Sequence, residues 1–202
     1  MSGQFPTSPA PTTLKIGSNQ PNRMSESQSG KRSTRYTGAQ KFTLTASWAN
    51  LTRAQFAPID AFVLAQGGRS GVFGFQTLVY DTPLGVATGT PVVAGANQAG
   101  TTLVTSGWTP SQTGILKAGD MITIAGQTKA YKVVADANSD GSGNASLSII
   151  PSLMTSPANA AAVAVNNILL TVSLDSDVFE YPVGKGGSGF LFNFSLAMVE
   201  VL

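Results

Sequence analysis

The chain has 202 residues, enough for one large domain or two small ones. It contains no cysteine and no histidine, which excludes disulfides, thiolate chemistry, Cys/His zinc sites and nucleophile systems built on Ser-His-Asp or Cys-His. With 11% charged and 42% hydrophobic residues and a net charge of +2, it is a β-leaning globular chain, and its bulk charge makes no case for nucleic-acid binding.

Any enzyme chemistry would have to use carboxylates, Lys, Tyr or a Ser-Lys pair. The charge is uneven. Residues 1–50 hold Lys15, Arg23, Lys31, Arg32, Arg35 and Lys41 against Glu26 alone, and the remainder is mildly acidic. Met1–Pro11 is polar, so no secretory leader is expected. No apolar run approaches the roughly 20 residues of a membrane helix, so no membrane insertion is expected.

Residues 1–36 are rich in Ser, Thr, Gln, Asn, Gly and Pro and read as an extended arm. Such an arm is either solvated or ordered against a neighbouring subunit, and Arg23, Arg32, Arg35 and Tyr36 are its candidate contacts. In Lys41–Trp48, Phe42, Leu44, Ala46 and Trp48 alternate with polar residues, the pattern of a half-buried strand. A helix follows, capped by Thr52 or Asn50 and closed by Gly67, with Phe56, Ile59, Phe62, Val63 and Gln66 on one face. Pro58 is tolerable there only in or near the first turn. Val72–Val79 reads as a returning strand.

Tyr80–Gln98 reads as a loop, with Pro83, Gly85, Gly89, Pro91 and Gly95. Leu103, Trp108 and Ile115 then supply an apolar lining. Met121–Ile124, Tyr131–Val134 and Leu147–Ile150 are short strands separated by Gly, Asp and Asn turns, which is the signature of an antiparallel meander. Ala158–Val165 reads as a connection with a weak helical signal, and Ile168–Ser173 as a strand. Gly184–Gly189 reads as a flexible turn. In Phe190–Leu202, Phe190, Phe192, Phe194, Leu196, Met198 and Leu202 share one parity. A strand that long must bend or serve a long sheet. The two ends thus build one β body, and a smaller β module interrupts it.

Four motifs were weighed. Asp136-Ala137-Asn138-Ser139-Asp140-Gly141 fits half of a calcium loop, but Leu147 stands where a bidentate Glu is required, so a hairpin loop is favoured. Gly184-Lys185-Gly186-Gly187-Ser188-Gly189 lacks the spacing of a phosphate loop. Asp175, Asp177 and Glu180 could act in acid-base work or hold a cation, but they fit a solvated turn better. Phe42, Trp48, Phe73, Phe75, Phe190, Phe192 and Phe194 could stack sugars or bases, but their parity favours core packing.

The order KFTLTASW, LTRAQFAPIDAFVLAQ, GVFGFQ, together with GILKAGDMITIAGQTKAYKVVADANSDGSGNASLSIIPSL, resembles the distal tail proteins of long-tailed bacteriophages. The likeness spans about Thr37–Leu202. It implies a mostly β fold: a tube-like β-sandwich or split barrel with one flanking helix, interrupted by an OB-like β-barrel. The expected limits are an arm at 1–36, a ring-forming domain at 37–88 and 166–202, and the inserted barrel at 89–165.

The resemblance further implies a structural, non-enzymatic virion protein without cofactors, assembled in the host cytoplasm and sited at the tail tip. It would form a six-fold ring joining the tail tube protein to the baseplate hub protein and to other tail-tip or fibre proteins, with DNA only passing through the lumen. A tail-tube subunit is the nearest alternative. Another is a carbohydrate-binding module touching host glycans, for which Trp108 and Tyr131 are the candidate contacts.

Overall fold

The computed structural model describes residues 3–186 and 189–202, and the chain in it divides into two compact units. The first comprises the residues up to Phe75 together with Thr171–Leu202, and the second is Gln76–Leu170. The fold is mostly β.

Three strands come first: β1 (Thr13–Asn19), β2 (Asn22–Glu26) and β3 (Arg32–Tyr36). They are followed by β4 (Lys41–Leu51) and the helix α1 (Arg53–Ala65), then β5 (Phe73–Gln76). The middle of the chain holds β6 (Gly89–Val93), β7 (Thr102–Trp108), β8 (Met121–Ile124), β9 (Ala130–Val133), β10 (Ala145–Ile150) and β11 (Val163–Ala164). The chain closes with β12 (Leu169–Leu174), β13 (Val183–Gly186) and β14 (Gly189–Glu200).

The sheet of the first unit runs β1-β4-β14-β12-β5, with β13 paired to β14. As the alternation predicts, Phe42, Leu44, Ala46 and Trp48 of β4 are buried. They meet Phe194, Leu196 and Met198 of β14, and Trp48 stacks on Phe194 at 4.6 Å between ring centroids. The helix lays Phe56, Ile59 and Val63 into this core, with Phe56 stacked on Phe192 at 4.7 Å. Thr52 caps the helix, and its N–H donates to the Gln55 side chain at 3.0 Å. Gly67 ends it in the left-handed region, φ 63°. Pro58 lies past the first turn, in the helix interior, on the exposed side away from the core.

The N-terminal segment departs from a free arm. Phe5 is buried among Trp48, Phe62, Phe73 and Phe75, with centroids 5.3–6.2 Å away. Its backbone N–H donates to Gly74 at 2.8 Å, covering the open edge of β5. β1 pairs with β4 along its whole length. A polar composition conceals these roles because one buried aromatic and a ladder of backbone hydrogen bonds need few apolar residues.

The second unit is a six-stranded antiparallel sheet, β11-β8-β9-β10-β7-β6. It nearly closes on itself where residues 160–162 meet Val92 and Val93, with Val93 N–H donating to Ala161 and Ala160 N–H to Val93, both at 2.9 Å. Its interior is filled by Leu103, Ile115, Leu116, Ile122, Val133, Leu147 and their neighbours. Four local readings are corrected here. The returning strand stops at Gln76, and Leu78–Tyr80 is a 3-10 turn. The loop at Tyr80–Gln98 contains β6, whose glycines mark a bulged pairing: Gly89 and Gly107 lie so close to the opposite backbone that a side chain would collide. No helix forms at Ala158–Val165, where Ala160 has φ 60° and β11 pairs with β8. Gly184–Gly186, read as a turn, is β13; Gly187 and Ser188 lie outside the described residues.

The barrel unit also reaches further than 89–165. Lys132 donates to the Tyr80 hydroxyl at 3.2 Å, and Val86 and Ala87 donate to Gly114 and Ile115 at 2.9 Å. No helix among the described residues is long and apolar enough to cross a membrane.

Phe5→Ala should destabilise the first unit by about 3–5 kcal/mol, the usual cost of emptying a buried aromatic site. The check is the urea midpoint of that unit's transition in the full chain. An unchanged midpoint would show that the N-terminal segment does not complete this core.

Candidate subunit-contact surface

β2 and β3 form a separate two-stranded ribbon, and all ten of its residues are exposed. Its root is closed by Thr37, whose N–H and hydroxyl both donate to the Pro21 carbonyl, at 3.3 and 2.6 Å. At the tip, Ser27 N–H donates to Lys31 at 2.9 Å. The register is Asn22↔Tyr36, Arg23↔Arg35, Met24↔Thr34, Ser25↔Ser33 and Glu26↔Arg32. Residues directly opposite share a face. One face therefore carries Arg23, Arg35 and two serines, and the other carries Tyr36, Met24, Glu26 and Arg32. Arg23, Arg35, Tyr36 and Thr37 line a shallow concavity of about 270 Å³. All four expected arm residues, Arg23, Arg32, Arg35 and Tyr36, thus sit on one projecting element.

The two expected glycan contacts do not face solvent. Trp108 is 3% exposed and its indole N–H donates to Thr105 at 2.8 Å. Tyr131 is fully buried and its hydroxyl donates to Gln127 at 2.8 Å. Both rings fill the barrel interior, so neither offers a stacking face. In a closed sheet with a single interior, large aromatics are drawn inward by the area they remove from water.

The Asp136–Asn144 loop is held together from within. Asp136 pairs with Lys117 at 2.8 Å and accepts the Ala118 N–H. Asp140 accepts the backbone N–H groups of Ser142 and Asn144, each at 2.8 Å, and the Asn144 amide at 3.0 Å. The two carboxylates serve separate turns. Among the described residues no group of three potential ligands converges on a metal position. The hydrogen bond from the Lys117 side chain, reinforced by Ala118 N–H, holds Asp136 below its ordinary value of 3.8. The Asn144 backbone N–H, then its side chain, then Ser142 N–H do the same for Asp140. Asp120 is buried and staples the barrel's lead-in: one oxygen accepts Leu84 N–H and the other Lys117 N–H, both at 2.7 Å. Gly85 fits there because its backbone lies against Ile115 and Leu116 with no space for a side chain.

Asp175, Asp177 and Glu180 are all exposed on the turn after β12. Asp177 accepts the Arg69 N–H at 2.9 Å, and the Asp175 carbonyl accepts Arg69 Nε. Most of the aromatic set is core, as its parity predicts, but Phe190 is 64% exposed. It lies where β14 has run past the end of β4, beyond a shift in their register. Phe192 pairs with Leu51 whereas Phe194 pairs with Trp48, so the extra residue sits on β4, where Asn50 takes φ 57°. Phe190 pairs only with Lys185 of β13, and β4's pairing stops at Leu51. Val178 and Val183 are exposed nearby in sequence. No periodicity argument could have found this apolar end, because how far β14 is left uncovered depends on where its partner strand stops.

Because the folded state favours the ionised form of Asp140, the order of this loop is complete above the ordinary carboxylate value and is lost as pH falls through the lowered one. Carbon NMR titration of the Asp140 carboxyl should give a midpoint below 3.8, and Asp140→Ala should speed amide exchange at Ser142 and Asn144. A midpoint at or above 3.8 would show that these bonds are absent in solution.

Residues 81–168, which hold the whole barrel, match the family model described as distal tail protein pb9, B domain. No curated protein matches the chain.

Proposed function

We propose, for a chain whose residues 81–168 match the model of the distal tail protein pb9 B domain, a role as the ring at the tip of the tail tube. The domain match supports a structural role in the distal tail. In the fuller reading, six copies close head to tail through the first unit. The ring joins the tail tube protein on one side to the baseplate hub protein on the other, and receptor-binding or fibre proteins attach around it. DNA passes through the lumen without being bound, and the barrel is carried by the ring as a separate module.

The observation that carries this reading is the pairing of a distal-tail barrel domain with a first unit that ends in an unpacked ribbon. A two-stranded ribbon with no other contact face is marginal alone in water. Arg23, Arg32, Arg35 and Tyr36 are therefore proposed to clasp the neighbouring subunit. Identical subunits joined by unlike surfaces close into a ring when the rotation between them allows it. A tail-tube subunit of the same chemistry differs in copy number, since it repeats along the tail.

Light scattering on the purified chain should give six times the mass of the 20.7 kDa protomer, and electron microscopy of virions should find it only at the tip. A monomer that is absent from virions, or a protein repeated along the tube, would reject the ring.

A further inference from the structure

We infer that the arginine face of the β2–β3 ribbon seats on the groove rimmed by Glu180 of a second copy of this chain. This rests on the ring reading and names the surface that receives the ribbon. The ribbon register sets Arg23 directly opposite Arg35 on one face. Like charges placed directly across strands destabilise a pair, and this pair sits on a ribbon with little stability to lose. Among the described residues no carboxylate lies within ion-pair distance of either guanidinium. Two exposed cations held side by side over a concavity, with Tyr36 at its edge, are arranged for an acidic partner that also offers an apolar contact.

The first unit carries such a surface elsewhere. Glu180 stands at the rim of an open groove of about 390 Å³ whose other walls include Trp48, Pro182, Asn193 and Phe194. Asp175, Asp177 and exposed Val178 precede it on the same turn. Among the described residues no ion pair occupies Asp175, Asp177 or Glu180. The match is of sign: a groove with Glu180 on its rim faces a ribbon face that carries two arginines. Because ribbon and groove are different surfaces of one chain, their union is head-to-tail and leaves one of each free at the two ends of a growing assembly until it closes.

A nucleic acid is the weaker occupant. The ribbon presents only two arginines on that face, and Glu26 lies on its other face, whereas phosphate-backbone binding takes a broad run of cations. Sequence places the acids and the arginines far apart, so only the folded register reveals that the two basic side chains share a face.

The test is assembly of the full chain, read by light scattering and by sedimentation across a concentration series. Arg35→Glu and Glu180→Arg should each weaken association by at least about tenfold, with unfolding curves unchanged because both side chains are exposed. Glu180→Gln, which removes only the charge, should fall between. The chain carrying Arg35→Glu and Glu180→Arg together should regain assembly. Rings that form normally with Glu180→Arg but fail with Arg35→Glu would overturn this seat while leaving the ring itself intact. A wild-type chain that stays monomeric throughout would remove the ring reading and this inference with it. Binding of duplex DNA that Arg23→Glu with Arg35→Glu abolishes, while assembly is untouched, would assign the ribbon to nucleic acid instead and overturn the inference.

Discussion

Pairing of β4 with β14 is the constraint on which the rest depends. The two strands run antiparallel from Thr43↔Val199 to Leu51↔Phe192. At their far end the buried Glu200 carboxylate accepts the Phe42 N–H at 3.0 Å, from 158 residues away in sequence. A carboxylate so placed adds a charge-assisted bond in a low-dielectric setting. Once these strands are neighbours, everything between them must either join the same sheet or fold by itself. The chain does both. α1, β5 and β12 cover or extend the sheet, and Gln76–Leu170 builds its own nearly closed barrel.

That arrangement decides where polar residues go. In the barrel nearly every carboxylate is spent on backbone N–H groups: Asp120 on the lead-in, Asp136 on the turn before β8, Asp140 on the loop before β10. These are structural bonds that hold the turns together. In the first unit the acids cluster instead on one exposed turn, and the arginines cluster on one exposed ribbon.

The edges of the first sheet show how the unit guards against uncontrolled pairing. β5 is covered by residues 3–5 through Gly74, so the polar leader has a packing task as well as a linking one. The other outer strand, β1, is short and carries Lys15 and polar residues along its length, devices that blunt an edge. Apolar exposure is concentrated where β14 outruns β4, at Phe190 with Val183.

Local period and punctuation were sufficient for much of the chain. Alternation at Phe42–Trp48 marks which side of β4 is buried, and the meander strands at 121–124, 130–133 and 145–150 follow from apolar runs between turn residues. The helix start at Thr52 and its end at Gly67 follow from capping chemistry. The missing Cys and His settle whole classes of chemistry at once. All of these depend on residues within a few positions of one another. Tertiary structure alone decided which strands are neighbours and in what register. It turned Trp108 and Tyr131 inward, drew Phe5 into the core, left Phe190 exposed where β14 outruns β4, and set Arg23 against Arg35. Each of those outcomes is fixed by a partner distant in sequence or by closure of a sheet, and a one-residue change of register would reverse it.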